Sequence, residues 1–403
     1  MKNKNILIFN CGSSSLSYKV FCASSSTDAK TLVHGKAHRV GVTGSESSFI
    51  EHFYGSDVTK QTISIKDHAS AAGLVIDYLE KKNIQIDCIG HRFVHGGSYF
   101  KDSVVINDKI MEKLKECVPL APLHNYIALK VIMECVAKYK EAVQCVVFDS
   151  SFHANIPEQA YTYALPKRII EKFGFRKFGF HGISYSYVTN KTLEFMAPYN
   201  KNPKIVACHL GTGGSSVCAI RDGGSIDTSM GYSPLSGLVM STRSGDIDPM
   251  FTIYLMAVCG HKPDAVSDML NKESGLLGIS GFTSDIRDII EKLSHEKEKA
   301  ELAFDMYIHR IKKYIGSYVA ALNGIDALVF TDDVGIHSPL VREKVCANME
   351  WCGIFIDTNT NKSISVNNIT CLNTEGADCK ILSIPTDEEA VICQKTLEAA
   401  YEN

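Results

Sequence analysis

The 403-residue chain has no CxxC pair and no Cys/His cluster at zinc spacing, although it carries 14 cysteines. A structural zinc site is therefore not expected. Several cysteines sit inside apolar runs, as Cys88, Cys145 and Cys208 do, where a thiol behaves as a small hydrophobe. A chain long enough to bury its own core needs no disulfides, so a reducing, cytoplasmic setting is expected. No apolar run approaches the roughly 20 residues needed to span a bilayer. The stretch Ile6–Phe9 is too short for a signal segment. There is also no basic surplus: 42 Lys and Arg stand against 45 Asp and Glu, a net charge of −3. Neither a nucleic-acid backbone nor a membrane surface is an expected partner. Low-complexity segments and obvious linkers are missing too.

What is present is ordinary globular material, 45% hydrophobic and 22% charged. The length predicts more than one core. Apolar runs alternate with helical stretches, which reads as α/β. Strands are expected at 6–9, 16–21, 85–89, 143–148, 204–208 and 327–331. The clearest helix runs from Glu301 to Leu322, where Phe304, Ile308, Ile311, Ile315 and Leu322 fall on one face and Gly324 follows as a stop.

One internal similarity bears on function. Near the start, an apolar strand leads into CGSSS and a returning strand, LSYKVF. Near the middle, IVACHL leads into GTGGSS and VCAI. This is either a pair of unrelated hairpins or a duplication, and a duplication would give two like domains facing a cleft, where small ligands usually bind. Both turns can cradle phosphate through backbone N–H groups and hydroxyls: Asn10, Gly12, Ser13, Ser14 and Ser15 in the first, Gly211, Thr212, Gly213, Gly214, Ser215 and Ser216 in the second. Neither is a Walker sequence, because no GK[ST] follows.

Other candidates stand at element ends. Arg92, in GHRFVHGG, and Arg243, in MSTRSGDIDP, are suited to bidentate binding of carboxylate or phosphate, or are ordinary surface arginines. Asp149 closes the run VQCVVFDSSFH; it either faces a crevice at a strand's C-terminal end or caps the next helix. His181, in KFGFHGIS, and His209 are core histidines by default. Asp387, Glu388 and Glu389 open the last helix, where the dipole favours acidic side chains.

Together these motifs resemble the acetate kinase family over nearly the whole chain and in the family's order. IFNCGSSSLSYKVF, GHRFVHGG, PLAPLHN, FDSSFH, FGFHGIS, CHLGTGGSS, DTSMGYSPLSGLVMSTRSGDIDP, SGLLGISG and IPTDEE carry the resemblance. It implies a duplicated two-domain fold shared with sugar kinases, heat-shock ATPases and actin, with an interdomain active-site cleft. The first domain would comprise 1–151 plus about 390–403, and the second 152–389. It implies Mg²⁺ (or Mn²⁺), small-molecule substrates and a homodimer. By position, Asn10 lies near the metal and the transferred phosphoryl, and Glu388 is the metal partner. Arg92 and Arg243 hold the acetate carboxylate and transition-state charge. Asp149 is the catalytic carboxylate, and His181 donates to a phosphoryl oxygen. Val94, Leu123, Phe180 and Pro234 match the acetate-methyl pocket.

The sequence departs from the family mainly around the phosphoryl donor. Thr212 stands in HLGTG where the family has Asn. In FTDDVGIHS, before and after Gly335, Asp332 and Asp333 replace two glycines and Ile336 and His337 replace Glu and Asn. Ser241 replaces Gly, and Tyr185 stands where many members have His. Lost glycines should close the pocket for a nucleoside while the phosphate turns survive. That pattern resembles the amoebic diphosphate-type acetate kinases, which exchange orthophosphate and pyrophosphate. The alternatives are an ATP-dependent acetate or propionate kinase, with an Asp binding ribose, and an actin-like nucleotide-switched binding protein.

Overall fold

The computed structural model describes residues 3–25, 28–42, 47–294 and 297–402. They form two compact units, Met1–Ala154 with Asp387–Asn403, and Asn155–Thr386. The changes of unit fall at 154/155 and 386/387, beside the expected 151/152 and 389/390, and they place Glu388 and Glu389 in the same unit as Asn10.

In the first unit, β1 (Lys4–Cys11), β2 (Ser15–Ala23), β3 (Lys30–His38), β4 (Phe49–Tyr54) and β5 (Asp57–Thr62) form an antiparallel meander. β6 (Cys88–Phe93) and β8 (Val143–Phe148) add in parallel beside β1, and the short β7 (Val104–Val105) closes the edge. One face of the sheet packs Leu7, Phe9, Leu16, Tyr18 and Val20 against the helix His68–Lys81. That helix forms because Ala71, Ala72, Val75, Ile76 and Leu79 make one apolar stripe, and because Asp67 caps it by accepting from Ser70 N at 2.9 Å. The helix Glu388–Leu397 covers part of the other face. Gly90 permits this approach: a Cβ there would lie 2.8 Å from Ile8 Cδ1 and 2.9 Å from Ile392 Cγ2.

The second unit has β9 (Ile205–Leu210), β10 (Ser215–Arg221), β11 (Gly224–Thr228), β12 (Ala327–Thr331), β13 (Thr370–Cys371) and β14 (Lys380–Ser383), in the order β11-β10-β9-β12-β14-β13. β9, β12 and β14 run parallel, and β9 to β11 form the meander. The inner order of the first sheet is β3-β2-β1-β6-β8, so both units are a three-stranded meander extended by two parallel strands. The long helix Lys297–Leu322 lays Phe304, Ile308, Ile311, Ile315 and Leu322 onto Val206, Cys208, Val217, Leu328 and Phe330. Truncating Ile311 or Ile315 to Ala would cost about 2–5 kcal/mol. Gly324, at φ +117°, ends the helix and returns its N–H to Val319 O at 2.9 Å.

Two local expectations shift. The helix begins four residues before Glu301, at Lys297. The strand expected at 85–89 is β6, from Cys88 to Phe93, because it aligns with β1 from Ile6↔Cys88 onward, while Ile84 and Ile86 pack against the core from the approach loop. Arg92 therefore lies within the strand and not after it. Among the described residues, no helix is long and apolar enough to cross a membrane.

Candidate active site

In the first unit, the C-terminal ends of the parallel strands bring Asn10, Arg92 and Asp149 together. Phe93 pairs with Phe148 in the β6–β8 register, and Asp149 N donates to Phe93 O at 3.1 Å. Arg92 and Asp149 thus project from adjacent strand ends. Arg92 Nε donates to Asp149 Oδ1 and Oδ2 at 3.1 and 3.2 Å, and Nη2 donates to Oδ2 at 2.7 Å. Asp149 is 1% exposed, so this is a desolvated, bidentate ion pair. Arg92 Nη1 donates to Asn10 Oδ1 at 2.9 Å. Burial opposes the charge on Arg92, yet Asp149 and Glu388 outweigh it and hold its pKa above the ordinary arginine value. The cation is permanent.

Asn10 spaces Arg92 from the acidic start of the last helix. Its Nδ2 donates to Glu388 Oε2 at 3.0 Å and to Glu389 Oε1 at 3.3 Å, and Glu388 Oε2 stands 3.7 Å from Arg92 Nη1. Asp387 caps that helix by accepting from Ala390 N at 3.0 Å, and Lys19 pairs with Asp387 at 3.1 Å. The first phosphate turn closes through Gly12 N donating to Ser15 O at 2.9 Å, with Ser13 and Ser14 exposed. His68, at the start of its helix, bonds Gly12 O through Nε2 at 2.9 Å. Burial lowers its pKa, so it holds the turn as a neutral donor.

Among the described residues, no three His, Cys, Asp or Glu side chains form a ready metal cluster. Mg²⁺ typically takes only one or two carboxylates and fills its shell with water and phosphate oxygens. Glu388 and Glu389, converging on one amide nitrogen of Asn10, fit that modest requirement.

In the second unit, the hairpin of β9 and β10 carries the other turn. Gly211 N donates to Gly214 O at 3.1 Å, and Ser215 Oγ donates to Gly211 O at 3.2 Å. Thr212 is half-buried and Gly213 exposed. A Cβ on Gly214 would lie 3.5 Å from both Arg243 Nη1 and His181 Nε2, so these two side chains flank the turn. Burial lowers the Arg243 pKa somewhat. His181 stacks on His209 with ring centroids 4.1 Å apart, and His181 Nδ1 lies 2.9 Å from Ser216 Oγ. Ser216 Oγ is 2.6 Å from Tyr185 OH, and His209 Nδ1 is 2.9 Å from Ser184 Oγ.

The helix Asp332–His337 follows β12 directly. Asp332 keeps a left-handed backbone, φ +65°, the conformation glycine adopts without strain. Its carboxylate pairs with His209 Nε2 at 3.1 Å and presses on Gly211, where any Cβ would collide with it. Asp333 reaches Arg287, of the helix Ile286–Lys292, at 3.9 Å. Gly335 O and Ile336 O both accept from Nη1 of the fully buried Arg342, which also donates to Asn361 Oδ1 at 2.7 Å.

Of the proposed acyl-pocket residues, Val94 and Phe180 are buried, Pro234 is half-buried, and Leu123 is 67% exposed in the first turn of the helix Pro122–Lys138. Sequence reasoning missed Lys19, His68, Ser184, Arg287 and Arg342, and it named Glu389 only as an acidic residue at the helix start. Only Lys19 left a signal, as a lone cation inside the strand pattern LSYKVF.

Comparison with known proteins identifies the family and the fold. The acetokinase family model matches residues 5–394. The acetate kinase of Caldicellulosiruptor saccharolyticus is 41% identical over 402 residues, covering 97% of this chain and 98% of the relative. The solved acetate kinase from Entamoeba histolytica superposes with a TM-score of 0.89 at 41% identity, covering 99% of this chain and 100% of that one. A propionate kinase from Francisella tularensis subsp. tularensis SCHU S4 gives 0.88 at 34% identity, covering 98% and 99%. The two-domain α/β fold is that of these enzymes, and the chain belongs to the acetokinase family.

Proposed function

We propose that the chain is a reversible acetate kinase that uses orthophosphate and pyrophosphate in place of ADP and ATP: acetyl phosphate plus phosphate gives acetate plus diphosphate. Family membership makes it a phosphotransferase with a carboxylate acceptor. In the direction of acetyl phosphate formation, an acetate oxygen attacks phosphorus in line, the P–O bond to the leaving phosphate breaks, and no proton need leave the nucleophile. What the protein must supply is charge cancellation and alignment. Arg92, held rigid by Asp149 and Asn10, is assigned the carboxylate and developing charge. Arg243 and His181, flanking Gly214, are assigned the transferred phosphoryl oxygens. Glu388 and Glu389, with Asn10, would hold Mg²⁺, which when bound would further neutralise phosphate charge.

Support for the donor comes from Asp332. Its side chain occupies the space beside Gly211 that a glycine at 332 would leave open, and its carboxylate is engaged by His209 and so is poorly placed to take up a ribose hydroxyl. Asp333, paired with Arg287, ties the same loop to the neighbouring helix. Phosphate recognition by the two turns needs none of that space. The test is a donor panel at fixed acetyl phosphate and Mg²⁺, reading acetyl phosphate as its hydroxamate. Consumption with orthophosphate and none with ADP or GDP is expected. Rapid ATP formation from ADP overturns the donor assignment and leaves an ATP-dependent acetate or propionate kinase.

A further inference from the structure

His181 can donate to a phosphoryl oxygen only if its Nε2 carries the proton, and a neutral imidazole has two tautomers. We infer that Tyr185 and Ser216 are positioning residues that fix His181 in the Nε2–H tautomer through a two-step hydroxyl relay: Tyr185 donates to Ser216, and Ser216 donates to Nδ1 of His181. The inference rests on the phosphotransfer reading above.

The geometry supplies each link. His181 is the N-cap of the helix Gly182–Met196, with φ +60°, and Tyr185 N donates back to His181 O at 2.9 Å. Residues 181 and 185 are therefore one turn apart and face the same strand. Ser216 lies across from His209 in the β9–β10 register, so its side chain meets that first helical turn. The Ser216 oxygen is 2.6 Å from Tyr185 OH and 2.9 Å from His181 Nδ1. Nε2, on the opposite side of the ring, is the atom beside Gly214 and Arg243 Nη1.

The direction of the relay follows from acidity: a phenol is the stronger acid of the two hydroxyls, so across the 2.6 Å contact Tyr185 donates and Ser216 accepts. The ring is completely buried, and burial drives its pKa well above the ordinary tyrosine value. The phenol stays protonated and keeps donating throughout the working pH range. Ser216, with its oxygen accepting from Tyr185, has one proton left to give, and His181 Nδ1 lies within reach. The reversed relay would require Nδ1–H to donate to Ser216 and the weaker acid, Ser216, to donate to the phenol. His209 is fixed in parallel: Asp332 accepts from Nε2, and Ser184 faces Nδ1.

The experiment is nitrogen NMR of histidine-labelled full-length protein without substrate, with His181 assigned through His181→Gln, and with Tyr185→Phe and Ser216→Ala as variants. In the unaltered protein Nδ1 of His181 should be pyridine-like and Nε2 pyrrole-like. Both variants should move the two nitrogens toward averaged shifts. Their kcat should fall about tenfold, the equilibrium worth of one neutral hydrogen bond, with KM within about twofold. Should Tyr185→Phe fail to fold, Ser216→Ala, which removes only a hydroxyl, carries the test. A protonated Nδ1 in the unaltered protein, or an unchanged His181 signature in a folded variant, overturns the relay. The ring signature is read without turnover, so a failed donor panel and a failed relay are separate results.

Discussion

Asp149 and Arg92 make the sharpest test of how this site works, because the structure predicts that they act as one unit. Three N–H···O contacts at 2.7–3.2 Å engage both oxygens of a carboxylate that is 1% exposed. Removing either partner leaves the other charge poorly compensated. For Asp149→Ala the remaining acidic neighbour of Arg92 is Glu388, 3.7 Å away. Each single variant should lose about 3–5 kcal/mol of stability, the usual cost of breaking a buried pair. The double variant should lose clearly less than the sum. In turnover, Arg92→Ala should cost roughly 10²–10³, as for a lost transition-state charge partner. If Asp149 works by aiming Arg92, Asp149→Ala costs a similar factor and the double variant costs no more than the worse single. The assay is hydroxamate kinetics on all three variants, beside their thermal unfolding. Multiplied losses, reaching about 10⁴–10⁶ in the double variant, would refute the coupling and make Asp149 an independent participant.

Further outcomes follow from other contacts. Gly211→Ala should disable the second turn, because its methyl collides with the Asp332 carboxylate and with Gly214 O at 2.9 Å; Asp332→Gly in the same chain relieves only the first clash and should restore activity in part, which kcat for the two variants reads. His52 and His91 are buried, and burial lowers each pKa to about 4, below the ordinary 6.5. The unfolded chain then binds the extra protons, so their stabilisation is present above about pH 6.5 and is lost as pH falls toward 4. His52→Gln should flatten the fall in thermal stability over that window. Val94→Ala should improve propionate relative to acetate by about 1–2 kcal/mol in specificity, since a methylene is worth about 0.8 kcal/mol. An unmoved ratio would take Val94 out of the acyl pocket.

How much was legible varied with burial. Val143–Phe148 and Ala327–Thr331 stand where their patterns place them, because parallel strands buried on both faces read as unbroken apolar runs. β5 was invisible: all of Asp57–Thr62 is exposed, so no hydrophobic pattern marks it, and only its register with β4 makes it a strand. Ile84 and Ile86 misled because apolar alternation in a loop packed on a core looks like a strand. In the site, Asn10, Arg92 and Asp149 stood out because short polar motifs interrupt apolar strands at their ends. Ser184 did not, since what gives it its place is a partner 25 residues away.

The return of the chain to its first unit has a consequence for biosynthesis. Residues 155–386 are continuous and can complete their sheet, long helix and phosphate turn as they emerge. The first unit cannot. Its strands β1 and β6 lack their cover until Ile392 and Thr396 arrive to pack on Gly90, and Asn10 meets Glu388 only once the chain has grown 378 residues further. Domains usually mature from the N-terminus during synthesis. Here the order inverts: the half translated first is finished last, and its apolar sheet face waits exposed while the later half folds. A nascent chain halted near residue 385 should therefore engage chaperones through its oldest residues, and release of the final turns should end that engagement.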